Sequence, residues 1–151
     1  MKIETKYHGT IDLRDNDIIT IDQGLPGFAG ERKFAILPFG EDSLFNILQS
    51  VETSDLAFVI TTPFLFFKDY EFNIPNPIRR QLKIEKEQNV LTYVILTVQD
   101  PFEKTTANLK APLIINAEAN LGKQLVLNDD AYETKHLLIQ QQPLTSTKGE
   151  K

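Results

Sequence analysis

The feature that most constrains this chain is its punctuation. Short apolar and β-branched runs follow one another through most of its length, each closed by a turn signal. The runs fall at residues 2–7, 10–13, 17–21, 33–38, 45–49, 56–60, 90–98, 113–116 and 123–127. They are too short for helices, and where they alternate they do so with the period of a strand, as Ile19 and Ile21 do in Asp17-Ile18-Ile19-Thr20-Ile21. Residues 90–98 are mostly apolar or β-branched. That pattern predicts a central strand covered on both faces, or one that bends between sheets. Many short strands with few helices predict a mainly β, single-domain, antiparallel β-barrel-like fold with one or a few short helices.

The turns carry their own chemistry. Leu25-Pro26-Gly27 suits a type II turn, with Pro first and Gly second of the central pair, and Phe28 is expected to plug the core behind it. His8-Gly9, Asp15-Asn16-Asp17 and Asn120-Leu121-Gly122 read as hairpin turns. The clearest helical signal is Asn76 as N-cap, Pro77 at the first helical position, and Ile78 with Leu82 one turn apart. Short helices are also predicted at 64–67 and just before Leu138. The domain is expected to span residues 1–139. Residues 140–151, rich in Gln, Ser, Thr and Lys, read as a disordered polar tail.

Composition narrows the chemistry. A chain of 151 residues can bury a core without crosslinks. It has no cysteine, so disulfides and thiol nucleophiles are excluded, in keeping with a reducing cytoplasm. The N-terminus lacks a signal-peptide pattern, and no apolar run is long enough for a membrane helix; no membrane association is expected. Two histidines at opposite ends of the chain, His8 and His136, make a poor basis for a metal site or a triad, and no metal or cofactor is expected. Ser50 lacks a nucleophile elbow and reads as a strand-end hydrogen-bonding residue. The pairs Asp129-Asp130 and Glu41-Asp42 read as solvated loops rather than facing catalytic carboxyls. The glycine-rich 24–30 segment has neither Walker nor dinucleotide spacing, and Asp22 and Glu31 flank it where phosphate would want cations. An enzyme is not expected.

The net charge is −5, from 16 basic and 21 acidic residues, and it is concentrated. Between residues 41 and 78, Glu41, Asp42, Glu52, Asp55, Asp69 and Glu71 face Lys68 alone. An acidic chain is poorly suited to nucleic acid and well suited to a basic protein. The acids interleave with aromatics in Pro63-Phe64-Leu65-Phe66-Phe67-Lys68-Asp69-Tyr70-Glu71-Phe72. A strand from Asp69 would put Asp69 and Glu71 on one face and Tyr70 and Phe72 on the other. Two readings stand: a core strand with a solvated outer face, or an edge that pairs with a partner's main chain while the acids select a basic surface.

Taken in order, several motifs resemble the flagellar assembly factor FliW family. They are Gly24-Leu25-Pro26-Gly27-Phe28, Phe34 and Leu37, Leu48-Gln49-Ser50, and Leu56-Ala57-Phe58-Val59 with Pro63, Phe64 and Tyr70. Beyond these lie the run from Thr106-Ala107-Asn108-Leu109-Lys110-Ala111-Pro112 through Leu113-Ile114-Ile115-Asn116, and Gln124-Leu125-Val126-Leu127. The match covers roughly residues 1–139. The resemblance implies a cytoplasmic β-barrel-like protein that holds flagellin; a monomer is expected when it is free. When free, such a protein captures the RNA-binding translational repressor CsrA and antagonises it allosterically, relieving repression of flagellin synthesis.

The charge block suggests a CsrA-facing surface of Glu41, Asp42, Asp55, Asp69 and Glu71, with Tyr70 or Phe72 as an apolar anchor. Asn108, Lys110 and Asn116, polar residues in a matched motif, either line a flagellin groove or serve turn and ladder geometry. The competing functional reading is a small-ligand or enzymatic barrel with a pocket at its mouth. A filled barrel with an acidic exterior would favour the first reading, and a deep apolar cavity the second.

Overall fold

The computed structural model describes residues 1–41 and 44–139. The tail at 140–151 and Asp42 lie outside the described residues. Among the described residues, eleven strands and one α-helix occur in the order β1 (Lys2–Glu4), β2 (Thr10–Asp12), β3 (Ile19–Thr20), β4 (Lys33–Phe39), β5 (Phe45–Ser50), β6 (Ala57–Thr61), α1 (Asn76–Gln81), β7 (Val90–Thr97), β8 (Thr106–Ala107), β9 (Leu113–Asn116), β10 (Leu121–Gln124) and β11 (His136–Leu137). Seven of them close a barrel in the order β7-β6-β5-β4-β3-β10-β9 and back to β7. All its seams are antiparallel except β3 with β10, which run parallel through one pair, Thr20 with Leu121.

Strand alternation builds two kinds of core from one set of strands. Phe34, Leu48, Ile60, Leu113 and Ile115 fill the interior with Ile19, Ile21 and Leu25. The intervening residues Val94, Leu96 and Ile114 point outward and bury under Phe67, Tyr70, Leu82, Leu109, Leu125, Leu127 and Leu138. On the far wall Ala35 and Leu37 are covered by Ile3, Ile11 and Leu13 of the β1–β2 hairpin. The barrel is thus filled inside and plated outside on two sides.

Of the two forms predicted for it, strand β7 takes the one that changes partners along its length. It pairs with β6 at Ile60–Ile95, with β9 along Val90–Tyr93, and with β8 at Leu96 and Thr97. The His8-Gly9 turn closes the β1–β2 hairpin with Gly9 at φ 66°. At Leu25-Pro26-Gly27, Phe28 N donates to Leu25 O at 2.7 Å and Gly27 has φ 85°, the expected type II geometry. The β9–β10 turn lies at residues 117–120 and ends on Asn120, at φ 55°; Leu121 and Gly122, expected in that turn, belong to β10.

Other expectations need correction. Asp15–Asp17 is a 3-10 turn linking the hairpin to the barrel rather than a hairpin turn. Helix α1 begins one residue early, with Pro75 as N-cap and Asn76 inside it. Residues 64–67 give only the 3-10 turn Pro63–Leu65. The segment before Leu138 is the strand β11, paired with β8, because Leu138 is drawn under the outer core. Strand β10 lies earlier than residues 123–127. Leu125 and Leu127 continue as a chain that bonds to Pro112 O and Lys110 O. Phe28 does not plug the core: it is 41% exposed, and Leu25, 2% exposed, does so instead.

Candidate partner-binding surfaces

The segment after β6 leaves the barrel and runs over the outer core without forming a ladder. Residues 69–72 are not a strand, so the edge-pairing reading does not hold there. The alternation nevertheless survives: Asp69 and Glu71 are exposed, Tyr70 is buried and Phe72 half-buried. Tyr70 is what fixes it. Its hydroxyl donates to Leu109 O at 2.7 Å, and the Tyr132 ring meets its ring edge-on at 4.7 Å. Phe64 and Phe72 complete the surround at 6.0 and 5.5 Å. Burial pushes the Tyr70 hydroxyl well above the usual tyrosine range, and the neighbouring Tyr132 adds to the shift. Tyr70 is therefore a core residue, not an exposed anchor; Phe72 keeps an accessible face.

Pinning Tyr70 down turns its acidic neighbours outward. Asp69, Glu71 and Phe72 line an open cleft of about 530 Å³ with Leu127, Asp129 and Tyr132 from the returning chain. Glu71 N donates to Tyr132 Oη at 3.2 Å, which ties the two walls together. Asp129 Oδ1 accepts from Ala131 N at 2.9 Å and holds the return turn. Among the described residues, none of these three carboxylates forms an ion pair. Asp129 is a member that the charge block missed. It lies far along the chain in a balanced region, and only the fold brings it to Asp69.

The remaining acids of the block are dispersed. Glu41 precedes β5 and Asp55 follows it, so they flank opposite ends of a six-residue strand, roughly 17 Å long. Both are exposed, but they do not form one patch.

The three polar candidates of the matched motif separate as well. Asn116 is 2% exposed and fully engaged. Its Nδ2 donates to Leu82 O at 2.8 Å and Lys83 O at 3.0 Å, and its Oδ1 accepts from Glu118 N at 3.0 Å. It fastens the end of α1 to β9 and cannot line a groove. Asn108 Oδ1 accepts from Lys110 N and Ala111 N, both at 3.1 Å, as turn geometry requires. Asn108 and Lys110 also border an apolar groove of about 340 Å³ at the barrel mouth, whose walls include Leu25, Phe28, Phe58 and Val126. This groove stops at Leu25 and Ile95, because the interior behind them is filled with side chains.

The residues considered for catalysis are in structural use. Ser50, fully buried at the end of β5, donates to Glu31 Oε1 at 2.6 Å and accepts from Thr53 N at 3.0 Å. His8 Nε2 lies 2.7 Å from Pro38 O, while His136 Nε2 accepts from Glu133 N at 2.8 Å. Among the described residues no His, Asp and Glu gather in a group that could hold a metal ion, and no helix is long and apolar enough to cross a membrane.

Comparison with known proteins gives a consistent result. The family model described as FliW protein matches residues 2–138. A flagellar assembly factor FliW from Geobacillus kaustophilus (strain HTA426) is 52% identical over 139 residues, covering 92% of this chain and 96% of the relative. The flagellar assembly factor FliW of Bacillus subtilis (strain 168) is 48% identical over 136 residues, covering 90% and 95%. A crystal structure of the flagellar assembly factor FliW superposes with a TM-score of 0.88 at 47% identity, covering 95% of this chain and 100% of that one.

Proposed function

The chain belongs to the FliW family of flagellar assembly factors, and from that premise we propose that it is a cytoplasmic partner-switching protein. It holds flagellin. When free of flagellin, it binds the basic RNA-binding repressor CsrA and relieves repression of flagellin synthesis without entering the RNA site. The observation that carries this reading is the acidic cleft: three carboxylates without ion pairs among the described residues, set against the aromatic walls of Phe72 and Tyr132. A protein that binds RNA must be basic where it meets phosphate. An acidic cleft steers such a protein toward itself and adds negative potential that opposes RNA approach. Glu41 and Asp55, at opposite ends of β5, contribute to the long-range field more than to contact.

The filled barrel interior weighs against the small-ligand alternative. The test is a titration with purified CsrA, with and without flagellin. Binding of CsrA to the flagellin-free protein, and its displacement as flagellin is added, is the expected result. No CsrA binding at low salt would refute the reading.

A further inference from the structure

One wall of the acidic cleft is the return turn that carries Asp129 and Tyr132. The main chain of Glu133, the next residue, moors that turn at both of its polar atoms. Glu133 O accepts from Lys110 N at 3.0 Å, and Glu133 N donates to His136 Nε2 at 2.8 Å. His136 is itself fixed, because it pairs with Ala107 as part of β11. A ring nitrogen that accepts a hydrogen bond carries no proton, so His136 is the neutral tautomer with its hydrogen on Nδ1. His8 is the opposite case. Its Nε2 lies 2.7 Å from Pro38 O, which can only accept, so there Nε2 carries the hydrogen.

Protonation of His136 uses up the lone pair on Nε2. Two N–H groups then face each other where the turn was moored, and the bond to Glu133 is lost. The ring lies in the wall of a recess of about 220 Å³ that shares Asp69 and Tyr132 with the cleft. It rests against Phe67 and Tyr132, with ring centroids 6.2 and 6.5 Å away. The charged and titratable groups about it come from three sides. Lys68, Asp69 and Tyr70 lie on the segment that leaves β6, Tyr132 and Glu133 in the turn with Lys110 bonded to it, and Lys135 beside the ring in sequence. Its partner strand β8, Thr106–Ala107, brings none. Among the described residues none of these groups forms an ion pair with the ring.

We propose that His136 is a pH-sensitive latch on the acidic cleft. Neutral, it holds the wall that carries Asp129 and Tyr132; protonated, it releases that wall, and the cleft loses its grip on a basic partner. His136 is a positioning residue and touches no partner itself. The effect on a partner rests on the reading that the cleft binds CsrA, whereas the latch does not depend on it.

The experiment is nitrogen-15 NMR of the full chain between about pH 8 and pH 5.5, the range in which histidine switches. Wild type is compared with His136→Gln, whose carboxamide oxygen replaces Nε2 as an acceptor without titrating, and with His136→Leu, which offers no acceptor. Circular dichroism checks that both variants fold. The neutral His136 ring should carry its hydrogen on Nδ1, and the Glu133 amide signal should follow the ring's protonation. Exchange at that amide, corrected for its intrinsic rate, should rise about fivefold as the ring protonates, the worth of one such hydrogen bond. His136→Gln should stay slow across the range and His136→Leu fast throughout. A neutral ring with its hydrogen on Nε2, or a Glu133 amide indifferent to the ring, would overturn the latch without any variant being needed. Calorimetry with purified CsrA at pH 7.5 and pH 6 then reads the cleft. Affinity should fall severalfold more in wild type than in His136→Gln, and equal falls would overturn the link from latch to cleft. No CsrA binding at either pH would sink the reading of the cleft and that link with it, leaving the NMR result to decide the latch.

Discussion

Replacing Asn116 by Ala separates stability from binding at a position whose sequence context permits either role. The side chain makes three well-formed hydrogen bonds in a buried setting, to Leu82 O, Lys83 O and Glu118 N. Each such bond contributes about 1 kcal/mol net, and a carbonyl left buried without a partner costs about as much again. Leu82 is 2% exposed, so water does not readily replace the amide there. Lys83 follows it at φ 57°, a conformation that the bond to Asn116 helps to hold. The expected loss is about 3 kcal/mol, equivalent to a fall in Tm of roughly 6–12 °C for a domain of this size. Urea unfolding at pH 7 should show a lower midpoint with an unchanged slope. Flagellin binding, measured well below the new midpoint, should be unaltered. A loss under about 1 kcal/mol would refute the claim that Asn116 fastens α1 to β9. A collapse of flagellin affinity in a stable variant would show instead that the residue is a contact.

Three further outcomes follow from the same structure. At Gly24 an added Cβ would lie 2.6 Å from Phe28 O and 2.7 Å from Ala29 O, whereas at Gly27 it would meet nothing within 4 Å. Gly27→Ala should therefore cost only the left-handed strain, about 1–2 kcal/mol, and Gly24→Ala distinctly more; equal midpoints in denaturant would count against this. Replacing Asp69, Glu71 and Asp129 together by their amides should slow CsrA association about tenfold at low salt and much less at high salt, as stopped-flow mixing would show. The raised Tyr70 ionisation makes stability pH-dependent in the alkaline range. Below about pH 10 both folded and unfolded chains keep the proton. Above it the unfolded chain ionises first and binds fewer protons, so stability falls as pH rises toward the folded value. Tyr70→Phe should lose about 1–2 kcal/mol at pH 7 through the orphaned Leu109 carbonyl. It should then decline less steeply above pH 10, with Tyr93, also raised by burial, supplying what slope remains.

Local signals read well wherever a single element decides them. The type II turn at Leu25–Phe28, the hairpin at Gly9 and the strands β4, β5 and β9 follow from turn chemistry and short apolar runs alone. The errors occur where a distant element decides. Strands β8 and β11 are two residues each, too short to show a period; β8 exists because β7 offers it an edge, and β11 because β8 offers the next. Leu125 and Leu127 alternate like a strand, yet they pair with loop carbonyls because the barrel has already closed through β9 and β10. Phe28 and Leu25 illustrate the same limit: both are apolar and three residues apart, and only the turn's direction determines which one enters the barrel.

The acidic surface shows how a charge count and a charge surface diverge. The block between Glu41 and Glu71 is contiguous in sequence, but β5 carries Asp55 to the opposite end from Glu41. What survives as a local site is the pair Asp69 and Glu71, because Tyr70 between them is buried and hydrogen-bonded to Leu109 O. An anchor for the partner would have needed Tyr70 on the surface. Buried, it turns the two carboxylates outward together without a ladder to support them. The same burial brings Tyr132, and with it Asp129, to the other wall of the cleft. Tyr70 thus acts on the cleft through position and not through contact. Tyr70→Phe, which keeps the ring and loses only the hydroxyl, should leave CsrA binding close to wild type while Tyr70→Ala abolishes it. Equal loss in both would mean that the hydroxyl itself reaches the partner.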